Sequence, residues 1–413
     1  MFFLYQLILT IIILISPALI VFRILKNKEH KYRYKEKFGF YSKRRVDGKL
    51  IWFHGASVGE ILSIIPLVKN YEKDKNINQI LITSSTLSSS KIIKKFKFKK
   101  TIHQFYPLDH IFITQKFLKY WKPNVSIYTE SEVWPSMFNE LDRKKIPLIL
   151  INSRITKKSF GRWQIFSNFA NQVFGKISLA LPQNQETLKY LKSLKVKNIK
   201  IAGNLKYYGQ ENNKDQVTKS LKNKFKNFKV WCAASTHGDE EILIGKLHKR
   251  LKNREKKIIT IIIPRHVNRT NSIIDTLNNL NLNCVKHSSN RKLKKNTDIY
   301  LVDSYGESSR FYSLTNICFV GGSIVNHGGQ NPLEPARLGN YIINGPNVKN
   351  FKEIYAFLNS LKISSSTSNI LKMEKKILRI LKTKNNNRNI KKIIKIGNDV
   401  LKKNLLYINK YLI

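Results

Sequence analysis

Cysteine is scarce. Three in 413 residues, with no CxxC pair, leave nothing from which to build a disulfide framework or a cysteine-held zinc site. Cys232, Cys284 and Cys318 therefore fit a reducing compartment. Acidic residues are also few: 26 Asp and Glu face 75 Lys and Arg, a formal net charge of +49. The absence of GxxxxGK[ST] argues against a P-loop NTPase, and the absence of HExxH or His/Cys ligand spacing argues against a zinc enzyme. No RRM, KH or helix-turn-helix signature accompanies the positive charge, so nucleic acid is not an expected partner. Two readings of that charge stay open. One is a protein held against an anionic membrane; the other is compositional bias in a chain crowded with Lys, Asn and Ile. Either way the field attracts anionic lipid.

Apolar residues are not lacking. At 42% hydrophobic and 11% aromatic, the chain can bury a core, which excludes wholesale disorder. Its length suggests two or three domains. Residues 1–22 carry no charged side chain, and the run approaches the ~20 residues needed to span a bilayer. Arg23, Lys26, Lys28, Lys31, Arg33, Lys35 and Lys37 follow at once. A cleaved secretory signal would place its charges first and a small-residue cleavage site after. The order here predicts a membrane anchor with the body of the protein on the cytoplasmic side, and Pro17 is placed to kink it.

Beyond the anchor, strand-like and helix-like runs alternate. Strands are expected over Lys49–Phe53, Gln79–Thr83, Val125–Thr129, Ile146–Ile151 and Lys197–Ala202, with helices over Ile61–Tyr71 and Val133–Lys144. A polar stretch, Gly209–Asn227, reads as a linker. The alternation resumes with Val230–Ala234, a helix from Asp239, and strands over Ile258–Ile263, Ile299–Asp303 and Ile317–Val320. Continuous apolar strands mark parallel sheets covered on both faces. The expected architecture is two α/β domains in series. The Lys-rich tail, 390–413, reads as an amphipathic helix.

Polar motifs sit at the carboxyl ends of these strands, where open α/β sheets bind ligands. His54-Gly55-Ala56-Ser57-Val58-Gly59-Glu60 admits three readings. It is a tight turn, a Gly-rich loop presenting Glu60 as a base, or a hydrolase elbow with Ser57 as nucleophile. The elbow would make the chain a membrane-anchored serine esterase, with Asp303 and His327 completing a triad by order alone. Thr129-Glu130-Ser131-Glu132-Val133-Trp134-Pro135 offers two acids near a helix start. Gly203-Asn204-Leu205-Lys206 places a cation that would neutralise a leaving phosphate. In the second half, Ala233 to Glu241 reads as an anion-binding or capping turn. Pro264-Arg265-His266 brings a guanidinium suited to phosphate. Asp303-Ser304-Tyr305-Gly306-Glu307 closes another strand. Gly321-Gly322-Ser323 and Gly328 to Pro335 frame a loop able to hold a nucleotide.

Together, and in this order, these motifs resemble the Kdo (3-deoxy-D-manno-octulosonic acid) transferases of lipopolysaccharide assembly, from the anchor to about Phe351. The resemblance implies a GT-B fold of two Rossmann-like domains facing across a cleft. It implies an acceptor domain over 23–208 that takes a lipid A precursor (lipid IVA), and a donor domain over 228–389 that takes CMP-Kdo. It implies inversion at the anomeric centre, with no metal and no cofactor. Glu60 then corresponds to the general base, and Glu130 and Lys206 to transition-state stabilisers. Pro264, Arg265, Tyr305, Gly306, Glu307, Asn331, Pro332, Leu333 and Glu334 correspond to the CMP contacts. The sequence departs from the family at Tyr305, where Met is usual, at Val267 and Asn268 in place of Pro and Glu, and at Gln330 in place of His.

Overall fold

A computed structural model describes residues 1–209, 218–383 and 387–412. It divides into two compact units. One comprises Met1–Tyr208 with Gly397–Ile413, and the other Gly209–Ile396.

The first unit opens with an apolar helix, α1 (Phe2–Leu25), which continues through Pro17. Then β1 (Leu50–His54), α2 (Val58–Lys73), β2 (Gln79–Ser84), α3 (Leu87–Lys94), β3 (Thr101–Phe105), α4 (Ile111–Trp121), β4 (Val125–Thr129) and α5 (Pro135–Arg143) alternate. β5 (Leu148–Ser153), α6 (Lys157–Ile165), α7 (Ser167–Phe174), β6 (Leu179–Pro182) and α8 (Gln185–Ser193) complete the unit. All strands run parallel in the order β3-β2-β1-β4-β5-β6. This is the Rossmann order, with its switch point between β1 and β4. β1 is buried at every position, as a strand covered on both faces must be. The core gathers Trp52, Phe117, Trp121, Tyr128, Phe138 and Phe174, all at or near zero exposure. Lys197–Ala202, expected as a strand, is not one. Ile199 makes a single bridge to Ala180, and β6 has taken the sheet edge.

The second unit comprises α9 (Lys219–Phe225), β7 (Lys229–Thr236), α10 (Glu240–Arg254), β8 (Ile258–Pro264), α11 (Thr270–Asn278), β9 (Cys284–Lys286), β10 (Ile299–Leu301) and α12 (Ser308–Tyr312). β11 (Ile317–Val320), α13 (Leu333–Arg337), β12 (Tyr341–Asn344), α14 (Lys352–Ser360), β13 (Ser364–Ser366) and α15 (Ile370–Leu381) follow, then α16 (Asn387–Asn409), whose residues from Gly397 onward belong to the first unit. Its sheet is also parallel, in the order β13-β12-β11-β7-β8-β10-β9, with the switch point between β7 and β11. Of the expected linker, residues 210–217 lie outside the described residues, and α9 occupies most of the rest. The chain's last residues pack on the first unit: Tyr71 donates to Asn409 (2.8 Å) and Tyr411 to the Ser178 carbonyl (3.1 Å).

Candidate functional site

β1 ends at His54, and the chain turns into α2 through Gly55 to Ser57. An added Cβ on Gly55 would meet the Glu60 side chain at 3.1 Å, so the loop lies tight against that residue. Ser57 caps α2: its hydroxyl accepts from the Glu60 N–H (3.3 Å) and donates to Glu60 Oε1 (2.8 Å). Glu60 Oε2 accepts from the Ala56 N–H (2.7 Å). Ser57 satisfies a free N–H of the helix as in a capping box, while Glu60 reaches back one residue beyond the cap, to the Ala56 N–H. The arrangement also holds a carboxylate half-buried at the switch point. Burial, and then the charge of Glu132, push Glu60 up to about 7, against the pull of its bonds to Ser57 and Ala56.

Glu132 follows β4, the strand beside β1. Its Oε2 lies 3.2 Å from His54 Nε2 and accepts from Trp134 Nε1 at 3.0 Å. His54 is fully buried, and its Nδ1 meets the Thr83 hydroxyl at 3.0 Å. Burial holds this imidazole below its ordinary value, opposed by Glu132. His54 and Glu132 belong to two separate sequence motifs, and neither motif gives its residue a task.

Glu130 follows β4 in a left-handed conformation (φ 60°), uncommon for a residue with a side chain. Its carboxylate meets Lys206 Nζ at 2.5 Å. Asn152, also left-handed (φ 48°), bridges the two loops. Its Oδ1 accepts the Leu205 N–H (3.0 Å) and its Nδ2 reaches Glu130 (3.5 Å). The β5–β6 register shifts at this point, between Leu150 and Ser153. The structure thus brings Glu130 and Lys206 together and leaves Glu60 with Glu132 on the neighbouring loops. Asn152 escaped the sequence, which gives no local sign of its tertiary role.

In the second unit the five expected motifs meet at one sheet edge. The Arg265 N–H donates to the Thr236 carbonyl (3.2 Å), joining Pro264-Arg265 to the turn after β7. His237 in that turn lies tilted against His327 (4.3 Å between ring centres) and approaches Gln330 (3.4 Å). Burial, and then His327, His266 and Arg265, push His237 down to about 4. Ser309 donates to Glu334 (3.1 Å), tying the Tyr305-Gly306-Glu307 loop to α13. Burial raises Glu334, opposed by Ser309 and Arg337. Asn331 Oδ1 accepts the Leu333 N–H (3.1 Å), which fixes the Asn331-Pro332-Leu333 turn at the start of α13. Tyr305 is 70% exposed beside Gly306, whose φ of 88° admits glycine freely. Glu307 pairs with Arg310 (2.8 Å).

The turn read as anion-binding or capping is filled by one of its own residues. Glu240, 1% exposed, accepts the N–H groups of His237 (3.0 Å), Gly322 (2.8 Å), Ser323 (3.1 Å) and Ile324 (2.9 Å). Gly321 leaves room for this: a Cβ there would sit 2.4 Å from the Ser235 carbonyl and 2.7 Å from Glu240.

Ser57 does not have the setting of a hydrolase nucleophile. Its backbone is extended (φ −103°), without the strained elbow, and its hydroxyl donates to Glu60. Similarity to known proteins points away from an esterase as well. Residues 32–208 match the family model described as 3-deoxy-D-manno-octulosonic-acid transferase (kdotransferase). A 3-deoxy-D-manno-octulosonic acid transferase of Rickettsia bellii is 36% identical over 339 residues, 82% of this chain and 80% of the relative. That of Haemophilus influenzae is 32% identical, over 81% of this chain and 79% of its own. Among solved structures, a UDP-GlcNAc 2-epimerase from Neisseria meningitidis aligns over 88% of this chain and 99% of its own, with a TM-score of 0.56. At 14% identity that likeness speaks for the GT-B fold alone. With a relative this similar over four-fifths of both chains, and with the motifs gathered at the two switch points, the chain belongs to the 3-deoxy-D-manno-octulosonic acid transferase family.

Proposed function

We propose that the chain transfers Kdo from CMP-Kdo to a lipid A precursor such as lipid IVA by a single displacement that inverts the anomeric centre. The first unit takes the acceptor and the second the donor. Glu60 is the general base. It removes the proton of the acceptor hydroxyl as that oxygen bonds to the anomeric carbon of Kdo. The bond from that carbon to the CMP phosphate oxygen breaks, and CMP leaves with the electron pair. A positioned base contributes ~10²–10⁴-fold. Lys206, held by Glu130, stabilises the developing charge. Arg265 and the histidines beside it favour the phosphate, while Pro264, Tyr305 to Glu307 and Asn331 to Glu334 receive the nucleotide.

One observation supports this reading most. A half-buried carboxylate at the switch point of the first sheet is poised near neutrality, where a general base works best. In the same reading α1 holds the enzyme at the inner membrane with both units on the cytoplasmic side. α1 is the one helix among the described residues long and apolar enough to cross a bilayer. Glu60→Gln tests the assignment. The variant should bind CMP as the wild type does and lose transfer by at least 10²-fold. Wild-type turnover would remove Glu60 from the chemistry.

A further inference from the structure

α1 has the composition of a bilayer-spanning helix, yet both of its ends are fastened to the first unit. At the amino end Tyr5 donates to the buried Asp109 (2.7 Å) and Gln6 to Ser136 (2.6 Å). Gln6 also accepts the Ile111 N–H (3.1 Å), and Thr10 meets His110 (3.2 Å). At the carboxyl end Arg23 bonds Glu29 (3.4 Å), which Lys37 also holds (2.5 Å). His30 packs on Phe105 (6.4 Å between ring centres), and Arg33 donates to the His103 carbonyl (2.8 Å).

The chain's reach decides what this means. From Tyr5 to Leu25 the helix is about 30 Å long, while the five residues from Leu25 to His30 extend at most about 18 Å. A helix docked by its first turns and standing away from the unit would leave that segment too short to return. Burial agrees. A stripe from Phe2 and Tyr5 through Ile13, Ser16 and Ile20 to Ile24 is covered along the whole helix, and Ser16 and Ile20 are almost wholly buried. That stripe recurs every three or four residues, as one face of a helix lying along a surface must.

The opposite face is apolar and bare: Phe3 is 81%, Leu14 75% and Leu25 76% exposed. Two further apolar residues are exposed on segments that touch the amino end of the helix: Phe112 (73%), next to Ile111, and Ile165 (72%), four residues before Phe169, whose ring lies 6.1 Å from that of Tyr5. Arg23, Lys26 and Lys28 gather at the carboxyl end of the helix, where they draw that end to an anionic surface. A helix with one face docked on the unit and the other bare along its length buries the bare face in an interface by lying in its plane.

We propose that α1 is an in-plane anchor. Its bare face inserts sideways into one leaflet of an anionic bilayer, and the helix does not cross. The proposal rests on the membrane reading above and changes the geometry by which the enzyme meets its lipid acceptor.

The test uses the full chain with Cys284→Ser and single Phe3→Cys, Leu14→Cys or Leu25→Cys substitutions, each carrying a fluorophore. These positions are exposed, and Kdo transfer verifies the fold of each labelled protein. The variants are bound to phosphatidylcholine–phosphatidylglycerol vesicles that carry a nitroxide either near the headgroup or near the acyl-chain end. The in-plane anchor gives stronger headgroup-proximal quenching at all three sites, in the same ratio. A Leu14 probe quenched most by the chain-end nitroxide, with Phe3 and Leu25 shallow, would overturn it in favour of a spanning helix and leave membrane anchoring intact. No quenching at any site would overturn both.

Discussion

Removing a charge beside the base should move the acid limb of the pH–rate profile. Glu60 sits at about 7, where an unperturbed glutamate sits near 4.5. Burial is the larger cause and Glu132 the next. The base acts as carboxylate, so wild-type kcat/KM should fall about tenfold for each pH unit below 7 and level off above it. Glu132→Gln keeps an oxygen for Trp134 Nε1 and removes the negative charge. The ionised form of Glu60 then becomes easier to reach, and its pKa falls. Since burial accounts for the greater part of the rise, the limb should move to lower pH by about one unit and no more. Its plateau should drop modestly, because a weaker base drives proton transfer less. Initial rates of Kdo transfer to detergent-dispersed acceptor, from pH 5 to 9 in overlapping buffers, supply both profiles. A limb that stays in place while activity falls would make Glu132 a purely structural residue. A wild-type profile flat through this range would refute Glu60 as the titrating base.

The two halves of the site should separate by kinetics. Lys206→Ala should lower kcat with CMP affinity unchanged, whereas Arg265→Ala should weaken CMP binding by about 10- to 100-fold, the worth of a charge-assisted hydrogen bond. Isothermal titration with CMP, set beside turnover, distinguishes the two, and a common effect would contradict the division of labour. Glu240→Ala strips four N–H groups, two of them buried, of their acceptor and should destabilise the chain by about 3–5 kcal/mol in urea unfolding. A loss below about 1 kcal/mol would mean that the Gly322 to Ile324 loop does not depend on that carboxylate.

Strands buried on both faces announced themselves. Val125–Thr129 and Ile317–Val320 stand where their apolar runs placed them, since no solvent-facing position interrupts the pattern. Edge strands did not. β3 reads Thr-Ile-His-Gln-Phe, and β13 is three serines. Conversely Lys197–Ala202 has the alternation of a strand and finds only one bridging partner, because pairing depends on a neighbour that sequence does not supply. At the site, Ser57-x-x-Glu60 is a capping-box signature and a legible reason for the carboxylate's fixed position. The left-handed backbone at Glu130, the bridging Asn152 and the four N–H groups on Glu240 were not legible. Each rests on contacts between loops brought together by the sheet, 22 to 84 residues apart in the chain.

The central claim is tested most directly by incubating the purified full chain with CMP-Kdo and lipid IVA and weighing the lipid product by mass spectrometry. A Kdo-bearing lipid formed together with equivalent CMP, and abolished by Glu60→Gln, is the predicted result. Unmodified lipid IVA in the presence of a folded, CMP-binding wild-type protein would contradict it.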